Sequence, residues 1–133
     1  MNKEHPNIAI LKNFDPANIA AAASILAEDA VFHYFNPELP ELEGNYVGLK
    51  GFQEFFNKIG GLSKGTFTVN PVSASPVGDE LVVVQSINTM TLEDRQIEVD
   101  VVVVWRIVNG KIAEVWDIPS VHTARVRELE AEL

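Results

Sequence analysis

Residues 101–120 have the sequence VVVVWRIVNGKIAEVWDIPS, and this stretch decides the fold class of the chain. Two runs rich in β-branched and aromatic residues flank Asn109-Gly110, and an Asn-Gly pair between such runs is typical of a tight β-hairpin. The stretch then reaches a single acid, Asp117, directly after Trp116. That acid is either a solvated carboxylate at a strand end or a group kept inside the protein for chemistry.

Further strands precede this hairpin along the chain. Short polar turns, GDE and EDR, separate apolar runs, and Pro71 and Pro76 restrict the first run to a sheet edge or a bulge. The predicted strands span residues 66–77, 81–92, 96–108 and 111–118. Four strands joined by short turns predict an antiparallel meander.

The N-terminal half has mainly helical patterns. Asp15 can cap a helix and Pro16 suits its first position, and the apolar residues that follow at helical spacing predict a helix over 16–28. The other predicted segments are a helix over 6–13, a strand over 30–35, a 13-residue loop over 36–48, a helix over 49–61 and a weak helix in the tail 120–133. We expect one α+β domain over residues 1–133, with its core in about 6–120 and a C-terminal tail over 121–133.

Composition limits the function classes. The chain has 133 residues, 47% of them hydrophobic, and a net charge of −9, so a single globular domain that avoids nucleic acid and anionic membranes is expected. It has no cysteine, and no apolar run reaches the roughly 18 residues of a membrane span. Its first ten residues show no secretory signal. We therefore expect a cytoplasmic protein that handles a neutral or weakly polar ligand.

Three segments carry a resemblance to a known family: LAEDAVFHYF, GNYVGLKGFQEFF and VVWRIVNGKIAEVWD. In this order they resemble the SnoaL-like polyketide cyclase branch of the nuclear-transport-factor-two-like superfamily, over about residues 6–120. The resemblance implies a cone-shaped half barrel, with N-terminal helices on the concave face of the sheet, an apolar pocket and often a dimer. That superfamily includes ketosteroid isomerases, polyketide cyclases, epoxide hydrolases and dehydratases as well as non-catalytic binding modules, so fold alone does not choose a function.

The resemblance also suggests catalytic positions. Asp117 resembles an acid that many relatives place near the end of the last strand, and His33 lies where many carry a histidine or an acid on the first strand. Val103 stands where other members have an acid, which weakens any two-acid mechanism. Asp117 and His33 are therefore the predicted catalytic residues, with Tyr34 as the alternative to His33.

Strand alternation limits which of these side chains can share a pocket. His33 and Tyr34 are neighbours, so they point to opposite faces of their strand. The same rule allows only one of Trp116 and Asp117 to face the pocket, and simple alternation favours Trp116. We nevertheless predict that Asp117 faces the cavity mouth, because a bulge or twist near the strand end at Pro119 can redirect a side chain.

The strand over 96–108 has one wholly apolar face, from Ile97 to Ile107, which we assign to the pocket. The strand before it is interrupted by polar residues, Gln85, Ser86 and Asn88, and one or two of these are expected to face ligand or water. The predicted substrate-binding residues are Tyr34, Phe52, Phe56, Gln85, Val103 and Trp105. The three histidines show no ligand spacing, so neither a metal site nor a cofactor is predicted.

Two functions stay open at this point. One is a cofactor-free isomerase, cyclase or lyase that acts on a small apolar carbonyl or cyclic substrate; the other is a non-catalytic ligand-binding or dimerisation module. The opposite face of the same strand carries Val102 and Val104, which are too apolar for open solvent. We therefore expect a homodimer through the outer face of the sheet.

Overall fold

The computed structural model describes residues 4–128. Its main elements are α1 (Pro6–Leu11), a 3-10 helix (Ile19–Ile25), β1 (Leu26–Tyr34), β2 (Gly44–Val47), α2 (Gly48–Leu62), β3 (Thr68–Val77), β4 (Leu81–Leu92), β5 (Arg95–Val108), β6 (Lys111–Pro119) and β7 (Arg125–Glu128). Two shorter 3-10 turns span Pro40–Leu42 and Val121–Thr123. None of the helices in this part of the chain is long and apolar enough to cross a membrane.

The strands form one curved, unclosed sheet in the order β2-β1-β6-β5-β4-β3, and β7 also pairs with β5. The pairing of β1 with β6 is parallel, and the other pairings are antiparallel. The predicted α+β class and the predicted meander from β3 to β6 are therefore confirmed, with β3 at the edge where its prolines are tolerated.

The hydrophobic core lies between α2 and the concave face of the sheet. Phe52 and Phe55 of α2 are fully buried, and Phe32 of β1 packs against both rings at 5.5 and 4.6 Å between centroids. Phe56 and Trp105 are only partly buried, since each lies nearer the edge of this core.

Two glycines allow α2 to approach the sheet closely. Gly48 has a φ of +70°, and a Cβ there would lie 2.9 Å from the carbonyl oxygen of Glu28. At Gly51 a Cβ would lie 2.7 Å from the backbone of Tyr46. Larger residues at either position would push the helix away from β1 and β2.

Three sequence-based assignments are wrong. The predicted helix over 16–28 is a 3-10 helix only over Ile19–Ile25, and the chain is already in β1 from Leu26, where it pairs with β6. The predicted loop over 36–48 contains β2, which pairs with β1. Pairing with neighbouring strands therefore overrides the local helical spacing in the first case.

The predicted helix in the tail is also wrong for the residues that the structure describes. Residues 125–128 form β7 instead, and Arg125 holds this strand on β5 through Glu98 at 2.6 Å and Asp100 at 2.9 Å. The remainder of that prediction, residues 129–133, lies outside the described residues.

Candidate functional site

A small cavity lies between α2 and the concave face of the sheet, and we call it the inner cavity. Its volume is about 40 Å³, and one water molecule needs roughly 10–15 Å³ of such space. The residues that line it are Tyr34, Asn36, Phe55, Ile59, Phe67, Asn88, Thr89, Met90, Ile97, Val99, Val101, Asp117 and Pro119. The inner cavity therefore combines an apolar wall with a few polar groups, and it has room for a few waters or for one end of a ligand.

Asp117 is the acid of this cavity. Burial among apolar side chains raises the pKa of its carboxyl to about 7, and no hydrogen bond or cation from the described residues offsets that effect. The ordinary value is 3.8, so near neutral pH the group is present in both its protonated and its ionised form.

The orientation of Asp117 comes from a register shift near the start of β6. Arg106 of β5 pairs with Glu114, whereas the next residue, Ile107, pairs with Ile112. Ala113 is thus left without a partner, and alternation restarts beyond it with Asp117 on the cavity side. The expected cause, a bulge near Pro119, is wrong, because the irregularity lies earlier in the strand.

Tyr34 lines the cavity next to Asp117, and the two are paired across the parallel β1 and β6 strands. The Tyr34 hydroxyl accepts a hydrogen bond from Asn36 Nδ2 at 3.0 Å. Burial raises the pKa of Tyr34 to about 12, so the phenol stays protonated at neutral pH. Its own proton has no acceptor among residues 4–128 and is available to a ligand.

Asn36 is a site residue that the sequence reasoning missed. It is buried, its backbone N–H donates to Glu43 at 2.9 Å, and its side-chain oxygen accepts from the Glu38 N–H at 2.9 Å. These bonds fix the amide that donates to Tyr34. The available signal was the Asn-Pro pair that follows the first strand, since asparagine in such turns often bonds to nearby backbone.

His33 lies on the opposite, outer face of the sheet. Its Nδ1 is 2.7 Å from Asn45 Oδ1, its Nε2 is 2.7 Å from Glu114 Oε2, and its ring stacks on Trp116. The structure does not bring His33 and Asp117 together, because they point to different faces. The predicted pairing of His33 with Asp117 is therefore not supported by the structure, which places Tyr34, the alternative to His33, beside Asp117 instead.

Of the six predicted substrate-binding residues, Tyr34 lines the inner cavity and the other five do not. Phe52 is fully buried and Val103 is 8% exposed, and both fill the core. Gln85 is exposed on the outer face. Two other polar residues of β4, Ser86 and Asn88, lie on the inner side of the sheet. Asn88 lines the cavity and accepts a hydrogen bond from the buried hydroxyl of Ser86 at 2.6 Å.

Trp105 and Phe56 lie at the side of the site. Trp105 packs edge-on against Phe14 with 5.0 Å between ring centroids, and its buried Nε1 has no partner in the described part of the chain. Phe56 lines a second, larger space of about 570 Å³ between residues 15–20, the C-terminal half of α2 and the start of β3. We call this space the outer groove.

Metal ligands do not cluster at either space. Among residues 4–128, no three histidine or acidic side chains lie close enough together to hold a metal ion. The polar residues that line the inner cavity thus supply one carboxyl, one phenol, two amides and one hydroxyl, from Asp117, Tyr34, Asn36, Asn88 and Thr89. Such groups suit proton transfer and hydrogen bonding to a carbonyl group.

Comparison with known proteins identifies the family. The sequence model of the SnoaL-like domain matches residues 9–115. The chain belongs to the SnoaL-like family. A comparison with curated proteins found no match.

Several solved structures share the fold of this chain. TerC, co-crystallised with polyporic acid, is 22% identical, with a TM-score of 0.75 over 88% of this chain and 93% of that one. An NTF2-like protein of unknown function from Burkholderia pseudomallei K96243 is 19% identical, with a TM-score of 0.74 over 90% and 94%. A hypothetical protein with a ketosteroid isomerase-like fold from Catenulispora acidiphila DSM 44928, in complex with trimethylamine, is 13% identical, with a TM-score of 0.66 over 81% and 82%. At these identities the likeness shows the fold alone.

Proposed function

We propose that this SnoaL-like protein is an enzyme that moves a proton on a small, largely apolar carbonyl or cyclic substrate without a cofactor, as isomerases, cyclases and lyases do. The observation that carries the proposal is the Asp117 carboxyl, which lies in a mostly apolar cavity with a pKa of about 7. Such a group accepts and returns a proton near neutral pH, where general acid–base catalysis is most efficient.

The roles of the two neighbouring side chains follow from their protonation. The Asp117 carboxylate removes a proton from the carbon next to the substrate carbonyl, and the electron pair of that C–H bond moves towards the carbonyl oxygen to give an enolate. Tyr34 donates its free O–H to that oxygen and stabilises the developing charge. Protonated Asp117 then returns the proton to the same carbon or to another one. Alternatively, the enolate attacks a second carbonyl carbon of the substrate to close a ring, and protonated Asp117 gives its proton to the alkoxide that forms.

Two of the solved relatives support a small-molecule ligand for the same fold. TerC was co-crystallised with polyporic acid, and the Catenulispora protein binds trimethylamine in its structure. A net charge of −9 disfavours strongly anionic substrates. We further propose that the enzyme works in the cytoplasm.

The second candidate function is a non-catalytic ligand-binding or dimerisation module. It is favoured by the small volume of the inner cavity, about 40 Å³, and by Val103, which stands where relatives carry an acid. Either function is compatible with a homodimer through the outer face of the sheet. On that face Val102 is 37% exposed and its cross-strand neighbour Ile118 is 55% exposed.

The experiment that tests the enzyme proposal begins with a thermal-stabilisation screen of apolar carbonyl compounds. For the compounds that bind, proton NMR in heavy water follows exchange of the hydrogens beside the carbonyl. Asp117→Asn should reduce the exchange rate by about 10²–10⁴-fold while ligand binding is retained. Asp29→Asn, an exposed acid on β1, is the matched control and should exchange at the wild-type rate. Exchange at the wild-type rate in Asp117→Asn would exclude the proposed role.

A further inference from the structure

The inner cavity and the outer groove are two spaces with one shared wall. Phe67 lines both of them. On α2, Ile59 faces the inner cavity and the adjacent Gly60 faces the outer groove. Across the β3–β4 pairing, Val69 of the groove lies opposite Asn88 of the cavity. A ligand in the groove is therefore separated from the cavity by a single layer of side chains.

The volumes assign different parts of a ligand to the two spaces. Ligand pockets usually enclose about 300–1,000 Å³, and the outer groove, at about 570 Å³, falls in this range. The inner cavity, at about 40 Å³, holds a carbonyl end and not a whole ring system. A substrate that reaches Asp117 from the outer groove would therefore keep most of its volume in that groove.

Phe67 is anchored at its backbone and partly exposed at its ring. Its N–H donates to the buried Ser63 hydroxyl at 3.2 Å, and the preceding Thr66 hydroxyl accepts from the Thr91 N–H at 2.8 Å. These bonds hold the backbone next to the ring, so a ligand that spans both spaces would require rotation of the Phe67 ring. Partly exposed side chains make such rotamer changes readily.

The lining of the outer groove indicates the chemistry of its occupant. Ile19, Phe56 and Phe67 supply apolar surface, and the amides of Asn18 and Asn57 stand at the rim without hydrogen-bond partners in the described part of the chain. Its charged lining residue is Asp15, and no basic residue among those described lines the groove. These groups suit a neutral, apolar body that carries hydroxyl or carbonyl groups.

We infer that the outer groove is the binding site for the body of a two-part neutral substrate, whose small carbonyl end passes Phe67 into the inner cavity. This inference rests on the proposed function for the role of the carbonyl end. Its test measures binding and not turnover, so the two can fail separately.

Two glycines at the end of α2 provide the test. A Cβ at Gly60 or at Gly61 meets nothing within 4 Å, but Gly60 lines the outer groove and Gly61 does not. Gly60→Leu should fill the groove, and Gly61→Leu should place the same side chain in solvent. Both changes replace glycine by a better helix former, so neither should destabilise the fold.

The probes are cyclohexanone and 4-phenylcyclohexanone, whose dissociation constants are measured by NMR titration. We expect the phenyl group to tighten binding to the wild-type protein by about tenfold or more. Gly60→Leu should abolish that gain and also weaken the binding of cyclohexanone, because the ring of either compound lies in the groove, whereas Gly61→Leu should keep the wild-type affinity for both. The phenyl compound should also shift the Gly65 amide signal in the groove but not that of Gly110 in the β5–β6 turn.

Several results would overturn the inference: no gain from the phenyl group, no binding of the phenyl compound at millimolar concentration, or equal losses in the two leucine variants. None of them would affect the exchange test of Asp117. The opposite outcome is also possible to recognise. If Asp117→Asn exchanges at the wild-type rate while Gly60→Leu alone removes the affinity gained from the phenyl group, the groove is a binding site and the proposed role of Asp117 in proton transfer is wrong.

Discussion

Tyr34 and Asp117 are paired across the parallel β1 and β6 strands, and both line the inner cavity. The pair places a neutral hydrogen-bond donor beside a carboxyl whose pKa is about 7. The donor and the proton-carrying group therefore approach a ligand from the same side of the cavity. Burial raises the pKa of both groups because it disfavours the phenolate and the carboxylate.

Tyr34→Phe should lower turnover by about 10²–10³-fold once a substrate is known, since it removes a donor to the oxygen that becomes charged. The matched control is His33→Gln, the adjacent residue on β1, whose side chain contacts Asn45 and Glu114 on the outer face. It should keep most of the wild-type rate. Steady-state kinetics measure the turnover of both variants. A large loss of turnover in His33→Gln, with none in Tyr34→Phe, would instead assign the catalytic role to the histidine.

Asp117→Asn should change how stability depends on pH. Folding raises the pKa of Asp117 from 3.8 to about 7, so the folded state binds this proton more tightly than the unfolded chain. This tighter proton binding stabilises the folded state most at acid pH. Its contribution to the free energy of unfolding is lost as the pH rises from about 4 to about 7, because the unfolded chain then ionises Asp117 more readily than the folded protein does.

In Asp117→Asn the side chain does not ionise, so this fall in stability between pH 4 and pH 7 is absent. Between pH 4 and pH 8 its stability should rise relative to wild type by about 2–4 kcal/mol, at 1.36 kcal/mol for each pKa unit. Urea unfolding at several pH values measures the difference, with Asp29→Asn as the control that follows wild type. Parallel curves for wild type and Asp117→Asn would mean that the carboxyl is not desolvated in the folded protein.

Phe55→Ala and Phe56→Ala compare adjacent positions of α2 with different surroundings. Phe55 is 1% exposed, and its truncation should lower the free energy of unfolding by about 3–5 kcal/mol. Phe56 is partly buried and lines the outer groove, so its truncation should cost clearly less and should instead weaken the binding of 4-phenylcyclohexanone. Thermal unfolding and NMR titration of both variants test this division, which equal stability losses would contradict.

Val104→Lys should weaken the proposed homodimer. The valine lies on the outer face of β5, where a lysine would place a charge in the apolar interface. Light scattering at micromolar concentration should give a dimer for wild type and a shift towards monomer for the variant. Val72→Lys, at an exposed position of edge strand β3, should not alter the assembly. A wild-type monomer would exclude this interface.

The parts of the fold that the sequence predicts correctly are those with strong local sequence patterns. The Asn109-Gly110 turn and the alternating runs beside it predict β5 and β6, and the apolar stripe of α2 predicts a helix within one residue of Gly48–Leu62. The prediction of a helix over residues 16–28 is wrong at its end, although the apolar spacing there fits a helix, because Leu26 is stabilised by pairing with Ile112 on the neighbouring β6. That pairing joins residues far apart in sequence, which periodicity does not reveal.

The candidate site was predictable only in part for a similar reason. The choice of Asp117 came from its apolar neighbours and the family resemblance, but its direction depends on the unpaired Ala113, which no local motif marks. Asn36 is held in the site by hydrogen bonds with Glu38 and Glu43. Such side-chain bonds form once the loop has folded against β1 and β2.

The protonation of Asp117 is the central claim, and carbon-13 NMR of the side-chain carboxyl groups tests it most directly, without any substrate. The Asp117 signal is assigned by its absence from the spectrum of Asp117→Asn. A titration midpoint close to pH 7 is the predicted result. A midpoint near pH 4, the value of a solvated aspartate, would contradict the account and favour the non-catalytic alternative.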